Sequence, residues 1–133
     1  MQLGGGCELA LMADILLTAP NAKFGQLEVN AGTITSGGGS QRLAHAVGKS
    51  RAMEMGLTGR MWSAEEAAAW GMASRVVKEA EGEGSAAAVV REAVTLAVEI
   101  ASNSQIAVQA QKEAVNAGTF LWLLVFSPVD ARG

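Results

Sequence analysis

Two acids twenty residues apart, Glu8 and Glu28, and the glycine run Gly4-Gly5-Gly6 leading into the first of them, are the residues of this chain whose types and spacing suit chemistry. A glycine run that enters a helix exposes backbone N–H groups at the helix's positive end, where they favour a developing oxyanion. A carboxylate one step inside that turn, with a second acid delivered by a later loop, makes an acid/base pair. Taken singly, Glu8 reads as a first-turn helix charge and Glu28 as an ordinary loop acid. Only three residues precede Gly4, so the segment that normally leads into such a run is expected to be missing.

The elements that must position these groups follow from pattern. Gly5 to Met12 reads as a short helix entered through glycines, and Asp14 to Ala19 as a largely apolar strand ended by the Pro20-Asn21 turn. Ala22 to Gly25 reads as a second strand leading to Gln26-Leu27-Glu28. This unit would set Glu8 and Glu28 at the ends of neighbouring elements. Gly32 to Gly39 is a Gly/Ser/Thr loop before a helix at Ser40 to Val47. As a phosphate cradle it lacks both the Lys-Ser/Thr ending of a P-loop and the dinucleotide-binding spacing, so a close-packed or mobile loop is the better reading.

Further helices are expected at Lys49 to Met55, weakened at Gly56, and after Ser63, whose Glu66 three residues on completes a capping box. Ala73 to Val77 reads as a short strand, and Glu79 to Ser85 as an acidic, solvated linker. A long amphipathic helix follows from Ala86 to Ala101, with Val90, Val94 and Val98 at helical spacing, then a break at Asn103-Ser104 and a helix from Gln105 to Asn116. Helix predominates and the strands lie in the first eighty residues, an α/β arrangement. Residues 1–80 form the core carrying the acids, 81–117 a helical region, and 118–133 an apolar tail.

Composition narrows the function classes. The chain has 133 residues, half of them hydrophobic, enough for a single core rather than a disordered segment. A net charge of -3 with scattered Lys and Arg argues against nucleic acid. The single cysteine, Cys7, forbids an internal disulfide and reads as a small buried spacer. The one histidine, His45, reads as exposed or packed rather than catalytic, and no ligand cluster implies a metal. Trp62 and Trp70 read as packing, and Glu54, Glu65 and Glu66 as helix-surface charges. The longest apolar run, Phe120 to Phe126, is far below the ~18 to 20 residues that span a bilayer. No Arg-rich presequence is present, which says little about targeting if the start is truncated.

With the pieces in order, Leu3-Gly4-Gly5-Gly6-Cys7-Glu8-Leu9-Ala10 resembles the crotonase (enoyl-CoA hydratase/isomerase) signature. So do Ala22-Lys23-Phe24-Gly25-Gln26-Leu27-Glu28, Gly32-Thr33-Ile34 and Gly38-Gly39-Ser40-Gln41-Arg42-Leu43. Val47 to Met55 and Leu57-Thr58-Gly59 look most like the short-chain mitochondrial hydratases of that family. The resemblance covers residues 3–117. It implies a partial ββα spiral followed by C-terminal helices. It also implies that Gly5 supplies one backbone donor for a thioester oxygen, with Glu8 and Glu28 as the two catalytic acids.

The implied reaction is syn addition of water to a trans-2-enoyl-CoA in fatty-acid β-oxidation, without a cofactor. Coenzyme A is the substrate's carrier. Family isomerases commonly keep only the acid at the Glu28 position, so two acids favour hydratase over isomerase. The resemblance further implies a trimer or hexamer in the full-length family, and the mitochondrial matrix or else the cytoplasm.

Three departures set the remaining expectations. The family's second oxyanion donor and most of its adenine-nucleotide pocket lie in an N-terminal half absent here. Thr35-Ser36 stands where a Pro-Gly pair is usual. From Gly118 the chain is unlike the family's charged C-terminal helices. The chain is therefore expected to be a C-terminal fragment with an aberrant tail, poorly stable or self-associating, and weakly active. Its rival class is a non-catalytic truncated isoform or a module keeping only the family's oligomer surface.

Overall fold

The computed structural model describes residues 2–125, with side chains described from residue 3 to residue 118. Elements run in the order β1 (Gln2–Leu3), α1 (Gly5–Ala10), β2 (Leu17–Thr18), β3 (Lys23–Gly25), a 3-10 turn (Glu28–Ala31), α2 (Gly39–Val47) and α3 (Lys49–Thr58). They continue with β4 (Trp62–Ser63), α4 (Ala64–Ala69), β5 (Arg75–Val76), α5 (Ser85–Ala101) and α6 (Gln105–Val125). The chain divides into two compact units, Met1–Ala93 and Val94–Gly133.

In the first unit β3 is the centre of a three-stranded sheet. β1 pairs with it in parallel, Gln2 opposite Phe24 and Leu3 opposite Gly25. β4 pairs on its other side antiparallel, Phe24 opposite Trp62. β2 and β5 form a separate parallel pair, Leu17 opposite Arg75. Phe24, Trp62 and Cys7 are fully buried, joined in one cluster by Leu43, Val47 and Met55. Gly39, Leu43 and Val47, four residues apart, put the buried stripe of α2 against this core. Trp70 meets Trp62 edge-to-face with centroids 4.6 Å apart, so both indoles serve packing.

Several boundaries differ from the sequence pattern. Only Leu17–Thr18 of the expected Asp14 to Ala19 strand is extended, because the partner β5 offers just two residues to the ladder. β1 and β4 were too short to carry a period and are created by pairing with β3. α3 runs through Gly56 to Thr58 and ends at Gly59, whose φ of 61° supplies the left-handed turn that stops helices. α6 continues past Asn116 and Gly118 to Val125, since no proline intervenes and the apolar run is helix-compatible. Of the expected 118–133 tail, residues 126–133 lie outside the described residues. Val90, Val94 and Val98 are exposed, and Ala88 is the buried residue of α5.

The capping box of α4 forms as patterned. Ser63 Oγ accepts from the Glu66 N–H at 3.2 Å and Glu66 Oε2 accepts from the Ser63 N–H at 2.8 Å. Glu66 is thus more than a surface charge, and it also receives Arg60 at 3.3 Å. The Ser63 N–H, then the Arg60 charge, hold the Glu66 carboxyl below its ordinary 4.5 against opposing desolvation. A depressed native value means its contribution is complete above pH ~4.5 and fades as pH falls through the folded value. Ser63→Ala should cost about 1 kcal/mol in urea unfolding near pH 7, whereas Glu66→Gln, which removes the titrating carboxylate, should cost stability near pH 7 and progressively less as pH falls below 4.5.

Candidate active site

The residue before α1 decides where its acid goes. Gly4 adopts φ 52°, a left-handed conformation suited to glycine, and its N–H donates to the Gly25 carbonyl at 2.8 Å. This ties the start of α1 to the end of β3. A Cβ at Gly4 would lie 3.0 Å from Glu28 Oε1, so the missing side chain leaves room for the Glu28 carboxylate beside the helix start. Gly5 is exposed, and a Cβ there would meet nothing within 4 Å. A side chain at Gly5 would therefore point into open space, one residue along from the glycine that borders the Glu28 carboxylate.

Glu8 is turned inward by α1 and is 5% exposed. The Ser36–Gly39 loop closes over it. A Cβ at Gly37, whose φ is 51°, would lie 2.8 Å from Glu8 Oε2. At Gly39 a Cβ would lie 2.9 Å from Glu8 Cγ and 3.0 Å from Gln26 Nε2. Ser36 Oγ donates to Glu8 Oε2 at 3.4 Å. The loop is thus close-packed on an acid.

Cys7 lies between the two acids electrostatically and packs in the core, as a spacer should. Burial pushes its thiol from 9.0 up to about 11, countered by a backbone hydrogen bond from Gly25 and reinforced by the charges of Glu28 and Glu8. Cys7 thus feels the charge of both carboxylates.

Four buried polar atoms of these residues have no hydrogen-bond partner among the described residues: Glu8 Oε1, both amide atoms of Gln26, and Glu28 Oε2. A buried polar atom left unpaired costs about 1–3 kcal/mol, so such atoms mark places that accept polar ligands. Gln26, 1% exposed, was not singled out from the sequence. No local pattern marked it: β3 ends at Gly25 and Glu28 opens a 3-10 turn, so strand alternation does not relate Gln26 to Glu28. Trp62 Nε1 is likewise buried and unpaired, within the core. Among the described residues no group of three or more His, Cys, Asp or Glu is placed to hold a metal ion. Nor is any helix among them long and apolar enough to cross a membrane.

The enoyl-CoA hydratase/isomerase family profile matches residues 1–123. The chain belongs to that family. The match passes Ala117 and takes in most of α6. A probable mitochondrial enoyl-CoA hydratase of Dictyostelium discoideum is 49% identical over 121 residues, covering 91% of this chain and 41% of the relative. The mitochondrial enoyl-CoA hydratase of Pongo abelii is 46% identical over 129 residues, covering 97% and 42%. The crystal structure of enoyl-CoA hydratase from Bacillus anthracis aligns with a TM-score of 0.79 at 39% identity, covering 87% of this chain and 42% of that one. The chain spans less than half the length of each of these three proteins. A crotonase-type partial α/β fold is thereby established.

Cys7 supplies a pH test of the site's interior. The thiolate is the reactive form, so iodoacetamide should modify native Cys7 slowly at pH 8, with a rate still rising beyond pH 10. The denatured chain should level off near 9. Because the native value is raised, the associated stability is complete below about 9 and declines as pH climbs toward 11.

Proposed function

We propose that this chain carries the acid/base half of an enoyl-CoA hydratase site, adding water syn across a trans-2-enoyl-CoA to give a 3-hydroxyacyl-CoA. What supports this reading is that Glu8 and Glu28 each keep a buried oxygen unpaired, with the Glu28 carboxylate beside Gly4 at the start of the helix that carries Glu8. Two acids are what hydration needs. One orients and deprotonates water as its oxygen bonds to C3, and the other delivers a proton to C2. In this assignment Glu8 holds the water and Glu28 the C2 proton, the pair acting together.

Negative charge builds on the thioester oxygen as an enolate forms or nearly forms. The Gly5 N–H is the donor proposed for that oxygen, and one such donor is worth roughly 3–4 kcal/mol in the transition state. No metal or organic cofactor enters this chemistry; coenzyme A arrives as part of the substrate. The second acid at Glu8 favours hydration over double-bond migration and over a non-catalytic role. Fatty-acid β-oxidation is the process this reaction fits. The names of the Dictyostelium and Pongo relatives favour a mitochondrial compartment, and assembly as a trimer or hexamer follows from the family resemblance.

The purified chain, mixed with crotonyl-CoA, should remove the absorbance of the conjugated thioester faster than buffer does. Glu8→Gln and Glu28→Gln should each bring that weak rate down toward the buffer rate, since a positioned acid or base contributes about 10²–10⁴-fold. A rate indistinguishable from buffer, or one that survives both substitutions, overturns the assignment.

A further inference from the structure

We propose that Ser36 is a positioning residue that commits Oε2 of Glu8 to the protein and leaves Oε1 as the oxygen that holds the reacting water. The inference rests on the hydratase reading for its chemistry and on the loop geometry for its structure. Ser36 Oγ donates to Glu8 Oε2 at 3.4 Å, while Oε1 is buried and unpaired. The two oxygens of one carboxylate are therefore in different situations.

The loop is built to hold the hydroxyl in place. Arg42 Nη1 donates to the Gly37 carbonyl at 2.6 Å, drawing the guanidinium back over the loop. The Gly39 N–H donates to the Ser36 carbonyl at 2.8 Å. Gly37, at φ 51°, brings backbone so near Oε2 that a side chain there would displace the carboxylate. Ser36 itself is exposed and has no left-handed backbone demand. On the other flank, the unpaired Gln26 amide lies by Gly39, as Glu8 Cγ does. Glu8 is thus held by one oxygen from the loop side, with the orphaned amide of Gln26 close by.

A carboxylate torsion is broad and two-fold when nothing selects between its oxygens. Removing the Ser36 hydroxyl frees that torsion without touching the thioester, so turnover suffers while substrate binding does not. The test uses the full chain with Ser36→Ala and Ser36→Thr, read by crotonyl-CoA hydration and by the Glu8 carboxyl-carbon NMR resonance, identified by its loss in Glu8→Gln. Ser36→Ala should lower kcat about five- to tenfold with KM within about twofold, and Ser36→Thr should recover most of it. The Glu8 resonance should be single in the parent and in Ser36→Thr, and displaced or broadened in Ser36→Ala. Circular dichroism should be alike in all three. An unmoved resonance with unmoved kcat overturns the proposal. A parent with no hydration, whose Glu8 resonance still responds to Ser36→Ala and recovers in Ser36→Thr, upholds the positioning role and sinks the hydratase reading.

Discussion

The inward-turned carboxylate of Glu8 is the constraint on which the rest of the first unit depends. At 5% exposure it is an acid removed from most of its water. Such a group is tolerated only where hydrogen bonds or ligands replace that water. Hydroxyl, glycine backbone and amide are gathered around it: Ser36 above, Gly37 and Gly39 against its stem, Gln26 alongside. Each glycine there is a place where a side chain would collide with the acid. The loop's composition, weak as a nucleotide motif, makes sense as the lining of a buried carboxylate.

The second acid is placed by a different device. Gly4 breaks from the β1 extension into α1 through a left-handed conformation and bonds back to Gly25. Three residues after Gly25, Glu28 opens a 3-10 turn and returns its carboxylate beside Gly4. One glycine thus sets the helix start, anchors it to β3 and makes room for the acid. Cys7, on the same helix as Glu8, is fully buried, and that burial, with the charges of Glu28 and Glu8, pushes its thiol up.

Outside the site, packing and polar contacts serve support. Trp62 on β4 covers Phe24 on β3 and receives the edge of Trp70. Arg51 lies 4.9 Å from the Trp70 ring centre, and Arg60 lies 5.8 Å from it while bridging Glu54 and Glu66. Exposed pairs of this kind contribute little singly. The box at Ser63, by contrast, satisfies orphan N–H groups that α4 would otherwise leave bare. The acidic linker is likewise ordered locally, with Glu83 pairing Arg91 at 2.9 Å.

Local chemistry was legible in the sequence wherever it acts over a few residues. The glycine entry to α1, the box at Ser63 and Glu66, the break at Asn103-Ser104 and the order of family motifs carrying Glu8 and Glu28 all depend on neighbours in the chain. The two-residue strands β1 and β4 did not show, because pairing with β3 and not propensity makes them extended. Gln26 and Ser36 were hidden for the same reason: an amide or a hydroxyl has no meaning until something distant lies beside it. The sequence by itself determined which residues are acids, which are hinges and which family they belong to. Only the tertiary structure decided that Ser36, twenty-eight residues from Glu8, bonds one of its oxygens while the other lies buried and unpaired, since hydrogen bonding depends on distance in space and not along the chain.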